Sequence, residues 1–210
     1  MNQKLFFLPV LFCFFLAACN NITDGGENNR KQQVIVAPNP YAIIDKSPLD
    51  VSYYPVNYPM QKMEGKDTAG LVARVFYSRP QKNGRKVFGN ELPPQCIQQY
   101  GTYWRLGANE SSEIEFFKAV NIEGQNIPKG RYTIYCIPFE NEWTVILNNN
   151  LYSWGLHVDS TKDFAKIKIP VAKMNKPIEY FTMVFHKSAA GADLIMTWDD
   201  VKAVLPVSFN

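Results

Sequence analysis

The clearest signal along this chain is alternation. Lys166 to Val171 sets Ile167, Ile169 and Val171 against Lys166 and Lys168. Residues two apart on a strand share a face, so the pattern predicts a half-buried strand. Gly130 to Pro138 places Tyr132, Ile134 and Cys136 on one face, and Glu142 to Asn148 sets Trp143, Val145 and Leu147 against Thr144, Ile146 and Asn148. Further strands are predicted at Leu71–Arg79, Glu113–Lys118, Tyr180–Phe185, Asp193–Trp198 and Val201–Phe209, with one more near Val51–Val56. Short strands of this kind, separated by turn signals, predict an all-β protein, an antiparallel and jelly-roll-like β-sandwich. Asn83-Gly84, Glu123-Gly124 and Lys129-Gly130 read as turns, because glycine tolerates positive φ. Asn148-Asn149-Asn150 and Asp199-Asp200 read as loop or turn clusters, and Thr161 to Ala165 has room for one helical turn. No long amphipathic helix is predicted.

The first part of the chain follows another rule. Lys4 supplies one positive charge, Leu5 to Leu16 is apolar apart from the imino acid Pro9, and Leu16-Ala17-Ala18-Cys19 closes the segment. A basic start, a short apolar run and small residues before a cut describe a secretory signal peptide. The closing tetrapeptide resembles the lipobox of bacterial lipoproteins, in which the cysteine is acylated before cleavage. Two or three acyl chains on Cys19 would hold the protein to a membrane. Asn20, where an aspartate would retain the protein at the inner membrane in the enteric rule, favours the outer membrane of the cell envelope. Asn20 to Gln33 is almost free of apolar residues and reads as a flexible tether. The expected organisation is a leader at 1–18, a lipidated cysteine with tether and extended arm at 19–50, and one sandwich domain at 51–210.

Composition narrows the function. Of 210 residues, 46% are hydrophobic and 20% charged, an ordinary globular balance. The formal charge of +3 gives no reason to expect a nucleic-acid partner. Cys13 leaves with the leader, so Cys96 and Cys136 remain. Two free thiols are the default, and a bridge between them stays open because geometry decides it.

No nucleophile elbow, phosphate loop or zinc-binding helix motif occurs, and no cofactor is implied. His157 and Asp159 are two apart, but without a visible third ligand they read as a pair of polar side chains facing solvent. Glu113 and Glu115 share a strand face at a spacing compatible with glycoside chemistry. The plainer reading is a solvated face opposite Ile114 and Phe116.

One polar cluster stands out. Tyr77-Ser78-Arg79-Pro80, Gly84-Arg85-Lys86-Val87-Phe88-Gly89 and Trp104-Arg105-Leu106-Gly107-Ala108-Asn109-Glu110 set three arginines, a tryptophan, an asparagine and a glutamate among glycines. Arginine offers a planar fork for carboxylate or phosphate, and loops on a rigid β scaffold commonly carry sites. Arg79, Arg85, Trp104, Arg105, Asn109 and Glu110 are therefore the candidate ligand-binding residues. The alternative is structural: the same arginines tie down a long connection by bonding backbone carbonyls and a carboxylate such as Glu110.

These stretches closely resemble the signature of domain-of-unknown-function family 2911, a bacterial lipoprotein family. Gly124, Pro128, Gly130-Arg131-Tyr132, Ile137-Pro138, Trp143, Trp154-Gly155 and Trp198 fit the same pattern, so the resemblance runs from about Ala69 to Val207. It implies a secreted or lipid-anchored β-sandwich and no established activity. The stretch Glu91 to Tyr103, with Pro93, Pro94 and Cys96, is longer than the family pattern and would reshape any pocket beside it. Asp67-Thr68-Ala69 and Asp159-Ser160-Thr161 resemble a three-residue O-glycosylation acceptor.

Two functions are carried forward. One is a non-catalytic module, anchored to the membrane through Cys19, that binds a polar, anionic or glycan ligand through the Arg/Trp/Asn cluster. The other is a hydrolase of envelope or other glycans using a carboxylate such as Glu110.

Overall fold

The computed structural model describes residues 39–41 and 43–209; the expected leader, Cys19 and the tether lie outside the described residues. From Ile44 onward the chain forms one compact unit. Its strands are β1 Leu49–Tyr54, β2 Ala73–Ser78, β3 Phe88–Gly89, β4 Gln98–Gln99, β5 Glu113–Phe116, β6 Val120–Ile122, β7 Gln125–Ile127, β8 Gly130–Pro138, β9 Glu142–Asn148, β10 Asp163–Lys187 and β11 Gly191–Ser208. Nine of them join in the order β1-β2-β5-β8-β9-β10-β11-β6-β7, with every pairing antiparallel, and β3 and β4 form a short parallel pair.

Strand β10 makes this order a sandwich. Its first part, Asp163 to Pro170, pairs with β9, whereas Val171 to Lys187 pairs with β11. Between Lys173 and Thr182 the register shifts twice, and the chain bends there from one layer to the other. The alternation that reads as two strands in the sequence thus belongs to one. Ala165, Ile167 and Ile169 face the core before the bend, and Phe181, Met183 and Phe185 face it after.

Strand β11 shows a related effect. Leu194, Met196 and Trp198 are buried, and so are Val201, Ala203, Leu205 and Val207. The buried set changes from even to odd positions at Asp199-Asp200. Asp199 has φ 52°, in the left-handed region. A strand has a side-chain period of two, so one extra residue in a bulge reverses which positions face inward. The expected turn at Asp199-Asp200 is instead this bulge within a continuous strand. Lys82 from the polar loop pairs with the Asp199 carboxylate there.

Between β6 and β7, Glu123 and Gly124 have φ 47° and 82°. Two left-handed residues form the tight hairpin whose twist suits the flanking strands. A six-residue helix, α1 Tyr58–Met63, follows Asn57 at φ 58° and was not signalled by periodicity. Ser160–Lys162 forms a single 3-10 turn, close to where one turn was expected, and the Asp159 side chain caps it by accepting from the Thr161 amide.

The core is aromatic. Trp104 lies with ring-centroid distances of 4.8 Å to Phe181, 5.4 Å to Phe88, 5.6 Å to Trp143 and 5.7 Å to Trp198. Cys136 is buried against this group, Cys96 is buried in the connection between β3 and β4, and both are free thiols. Replacing the fully buried Trp143 by alanine removes one wall of the aromatic group. We expect a loss of about 3–5 kcal/mol, read as a lower urea midpoint with an unchanged far-ultraviolet spectrum in the folded baseline.

Candidate functional site

The six candidate residues divide by environment. Trp104 is buried, and its amide and carbonyl bond the carbonyl and amide of Cys136 at 2.8 and 2.9 Å. This bridge to β8 pins the long connection to the sandwich. Arg79 leaves the end of β2 and ties two strands together. Its Nη1 meets Asp50 at 3.3 Å, its Nη2 donates to Thr182 at 3.1 Å, and the Phe181 carbonyl accepts from Nε at 3.4 Å. Arg79 therefore acts as a clamp between β1 and β10. Asn109, at φ 60°, donates its side-chain amide to Asp45 and holds the turn after Arg105.

Arg85, Trp104 and Arg105 come together in a cleft of about 350 Å³, with Gln98, Tyr103 and the Gly107-Ala108 backbone. Arg85 donates from Nε to the Lys82 carbonyl at 3.0 Å and from Nη2 to the Gln81 carbonyl at 2.6 Å. Arg105 donates from Nη1 to the carbonyls of Asn109 and Trp154, and its guanidinium lies 5.8 Å from the Trp154 ring centroid. Burial presses the Arg105 guanidinium below its ordinary value, while the Glu110 charge acts the other way. It stays cationic at any physiological pH.

The glycines here serve close approach. A Cβ on Gly107 would sit 2.9 Å from the Ser78 carbonyl, and one on Gly155 would sit 2.9 Å from the Arg105 Cβ. Gly155, at φ 78°, leaves the space that the Arg105 stem fills.

Glu110 lines a different cleft, of about 710 Å³, with Asp45, Leu49, Phe76, Glu113, Arg131 and Tyr152. Here the structure corrects the sequence reading. Glu113 and Glu115 are not a simple solvated face. Register places Arg74, Glu115 and Arg131 side by side across β2, β5 and β8. Arg74 Nε donates to Glu115 at 2.8 Å, and Arg131 Nε lies 2.7 Å from Glu113, which is buried. Both guanidiniums also pack on Phe76, at 4.7 and 5.4 Å from its centroid. The alternation was visible, but cross-strand partners depend on register, which one strand does not reveal.

A buried polar group that the sequence did not signal lies near the β9–β10 connection. The Asp163 carboxylate accepts from the Tyr135 hydroxyl and from the Asn148 amide at 2.7 Å, with Lys166 at 3.0 Å. Burial works against ionising Asp163, but these donors outweigh it and hold its carboxyl below the ordinary value. Burial and the same carboxylate push the Tyr135 hydroxyl up. His157 borders a narrow pocket beside this group, and Asp159 caps the 3-10 turn. Among the described residues, no three His, Cys, Asp or Glu side chains gather where they could hold a metal. A further cleft of about 520 Å³, lined by Val51, Val56, Met60, Met183 and Phe185 among others, holds none of the six candidates.

The family model described as Protein of unknown function (DUF2911) matches residues 59–207. The chain belongs to this family. The match runs from Pro59 in α1 to Val207 in β11, so the DUF2911 region carries both arginine-bearing loops and all the strands except β1, β11 lacking only its last residue. Comparison with curated proteins and with solved structures yields no match.

Two outcomes follow. Arg131→Met leaves Glu113 buried without its cation and should destabilise by about 2–3 kcal/mol, with much of the loss recovered in Arg131→Met/Glu113→Gln. Asp163 has a lowered folded pKa, so the stability it supplies is complete above the unfolded carboxyl value of about 3.9 and is lost as pH falls through the folded value. Asp163→Asn should therefore show a smaller fall in urea midpoint between pH 6 and pH 2.5 than the native chain.

Proposed function

We propose that this protein is a lipid-anchored lipoprotein of the cell envelope whose β-sandwich is a non-catalytic binding module. Its ligand is polar and anionic, and it enters the cleft between Arg85 and Arg105.

One observation carries the reading. Of the five described arginines, Arg74, Arg79 and Arg131 each have a carboxylate partner. Arg85 and Arg105 have none within 4 Å among the described residues, and these two line the same cleft. Both are fixed by backbone carbonyls, which orient a guanidinium without neutralising it. Nη1 of Arg85, and Nε and Nη2 of Arg105, have no protein acceptor among the described residues. Charge held in place before binding lowers the ordering cost of capture, and an anion supplies the missing acceptors.

The anchor rests on the leader and the Leu16-Ala17-Ala18-Cys19 ending. The hydrolase alternative is less favoured. Glu110 stands in the neighbouring cleft beside Glu113, whose carboxylate is occupied by Arg131 and by the Tyr152 amide at 3.1 Å.

Metabolic labelling with an alkyne fatty acid should tag the native chain and not Cys19→Ala. For the cleft, the mature protein in detergent is titrated with inorganic phosphate and with galacturonate while its melting point is followed. At tenfold excess over Kd, a native-state ligand should raise Tm by roughly 3–6 °C. Arg85→Gln and Arg105→Gln should each reduce the shift, and the double variant should abolish it. A native chain that responds to neither probe, or a double variant that responds fully, would overturn the reading.

A further inference from the structure

The larger cleft has features that the anion cleft does not explain. Tyr152 on its rim is 81% exposed, yet its backbone sits at φ 60°. A bulky residue in the left-handed region is strained, and such strain persists only where surrounding structure holds it. Here the holding contact is the Tyr152 amide, which donates to the buried Glu113 carboxylate at 3.1 Å. Burying the ring does not explain the arrangement, because the ring faces solvent. The strained backbone presents an aromatic face at the mouth of a cleft, with the Arg131 guanidinium 5.7 Å from its centroid.

Below the ring the chemistry is mixed. Glu113 accepts from the Tyr152 amide, is paired in charge with Arg131, and keeps further lone pairs. Arg131 engages Glu113 through Nε, and its terminal nitrogens have no protein acceptor among the described residues. Donor and acceptor therefore stand side by side under an exposed aromatic face. A pyranose ring has the matching character: an apolar C–H face that lies on an aromatic ring, and vicinal hydroxyls that donate and accept at its edge.

The two clefts are neighbours. Asp45, Glu110 and Ser153 line the larger one, whereas Ser47, Ala108 and Gly155 line the anion cleft. Three chain segments thus pass from one cleft to the other within two residues each. Ser111 and Ser153 join two of these segments, hydroxyl to hydroxyl at 2.8 Å and amide to carbonyl at 3.0 Å.

We propose that the larger cleft is a saccharide subsite contiguous with the anion cleft, so that the ligand is an acidic oligosaccharide. One sugar's carboxylate meets Arg85 and Arg105, and a neighbouring ring lies on Tyr152 over the Glu113–Arg131 pair. This inference rests on the anion reading above.

The test compares galacturonate, trigalacturonate, maltotriose and inorganic phosphate by calorimetry on the mature, detergent-solubilised protein. Trigalacturonate should bind at least tenfold tighter than galacturonate, and maltotriose at least tenfold weaker than trigalacturonate. In Tyr152→Asn, which suits the left-handed backbone and removes the ring, the trimer-to-monomer affinity ratio should fall to near one. Tyr152→Phe should keep it. Equal affinities for trimer and monomer, or a ratio unmoved in Tyr152→Asn, would overturn the subsite and leave the anion cleft standing. Phosphate binding without either galacturonate species would overturn the saccharide class. Maltotriose binding as well as trigalacturonate would overturn the acidic requirement. A native chain that binds no probe would remove the anion reading itself, a result distinct from the others.

Discussion

Trp104 is the point on which the rest depends. It lies on a long irregular connection, yet its ring is enclosed by aromatic residues from both layers and its backbone is bonded to β8. Aromatic rings bury large areas and favour edge-to-face contacts, so this residue is both an energetic and a positional anchor. Its neighbour Arg105 must then emerge at the floor of the anion cleft. The loops carrying Arg85 and Arg105 are held to the same core by Val87, Phe88 and Leu106, which are buried beside it.

Arginine is used in two ways in this molecule. Arg74, Arg79 and Arg131 are spent on carboxylates, where they tie neighbouring strands and pack on Phe76 or near Tyr180. Arg85 and Arg105 are held by carbonyls, with no carboxylate within 4 Å among the described residues, although Glu110 is near enough to Arg105 to act on its charge. The distinction is one of partner, not residue type, and it separates the scaffold from the candidate site. The sequence grouped Arg79 with Arg85 and Arg105 because they lie among similar loop residues. Only the fold shows that Arg79 turns toward Asp50 and Thr182.

Strands whose alternation is uninterrupted, such as β8 and β9, were legible in the sequence almost to the residue. Those broken by irregular backbone were not. β10 and β11 each read as two strands, because a bulge disturbs the period in the same way as a turn does. Glu113 showed its strand but not its burial, since that depends on Arg131 one strand away and on Tyr152 from a distant loop. The candidate residues were found by type and context. Their division between two clefts required the pairing of segments such as Ser111 and Ser153, which lie 42 positions apart.

The bulge at Asp199 also governs what changes of length the chain can accept. Substitutions there would disturb a local ion pair and a strained backbone. Loss of a single residue would act at a distance, because everything beyond it would shift by one strand position. Ala203, Leu205 and Val207 would move to the outer face, and Lys202 and Ser208 would be carried inward. The C-terminal half of β11 should therefore be far more tolerant of altered side chains than of altered chain length, and homologous chains sharing this packing should keep the spacing between Trp198 and Val201 fixed.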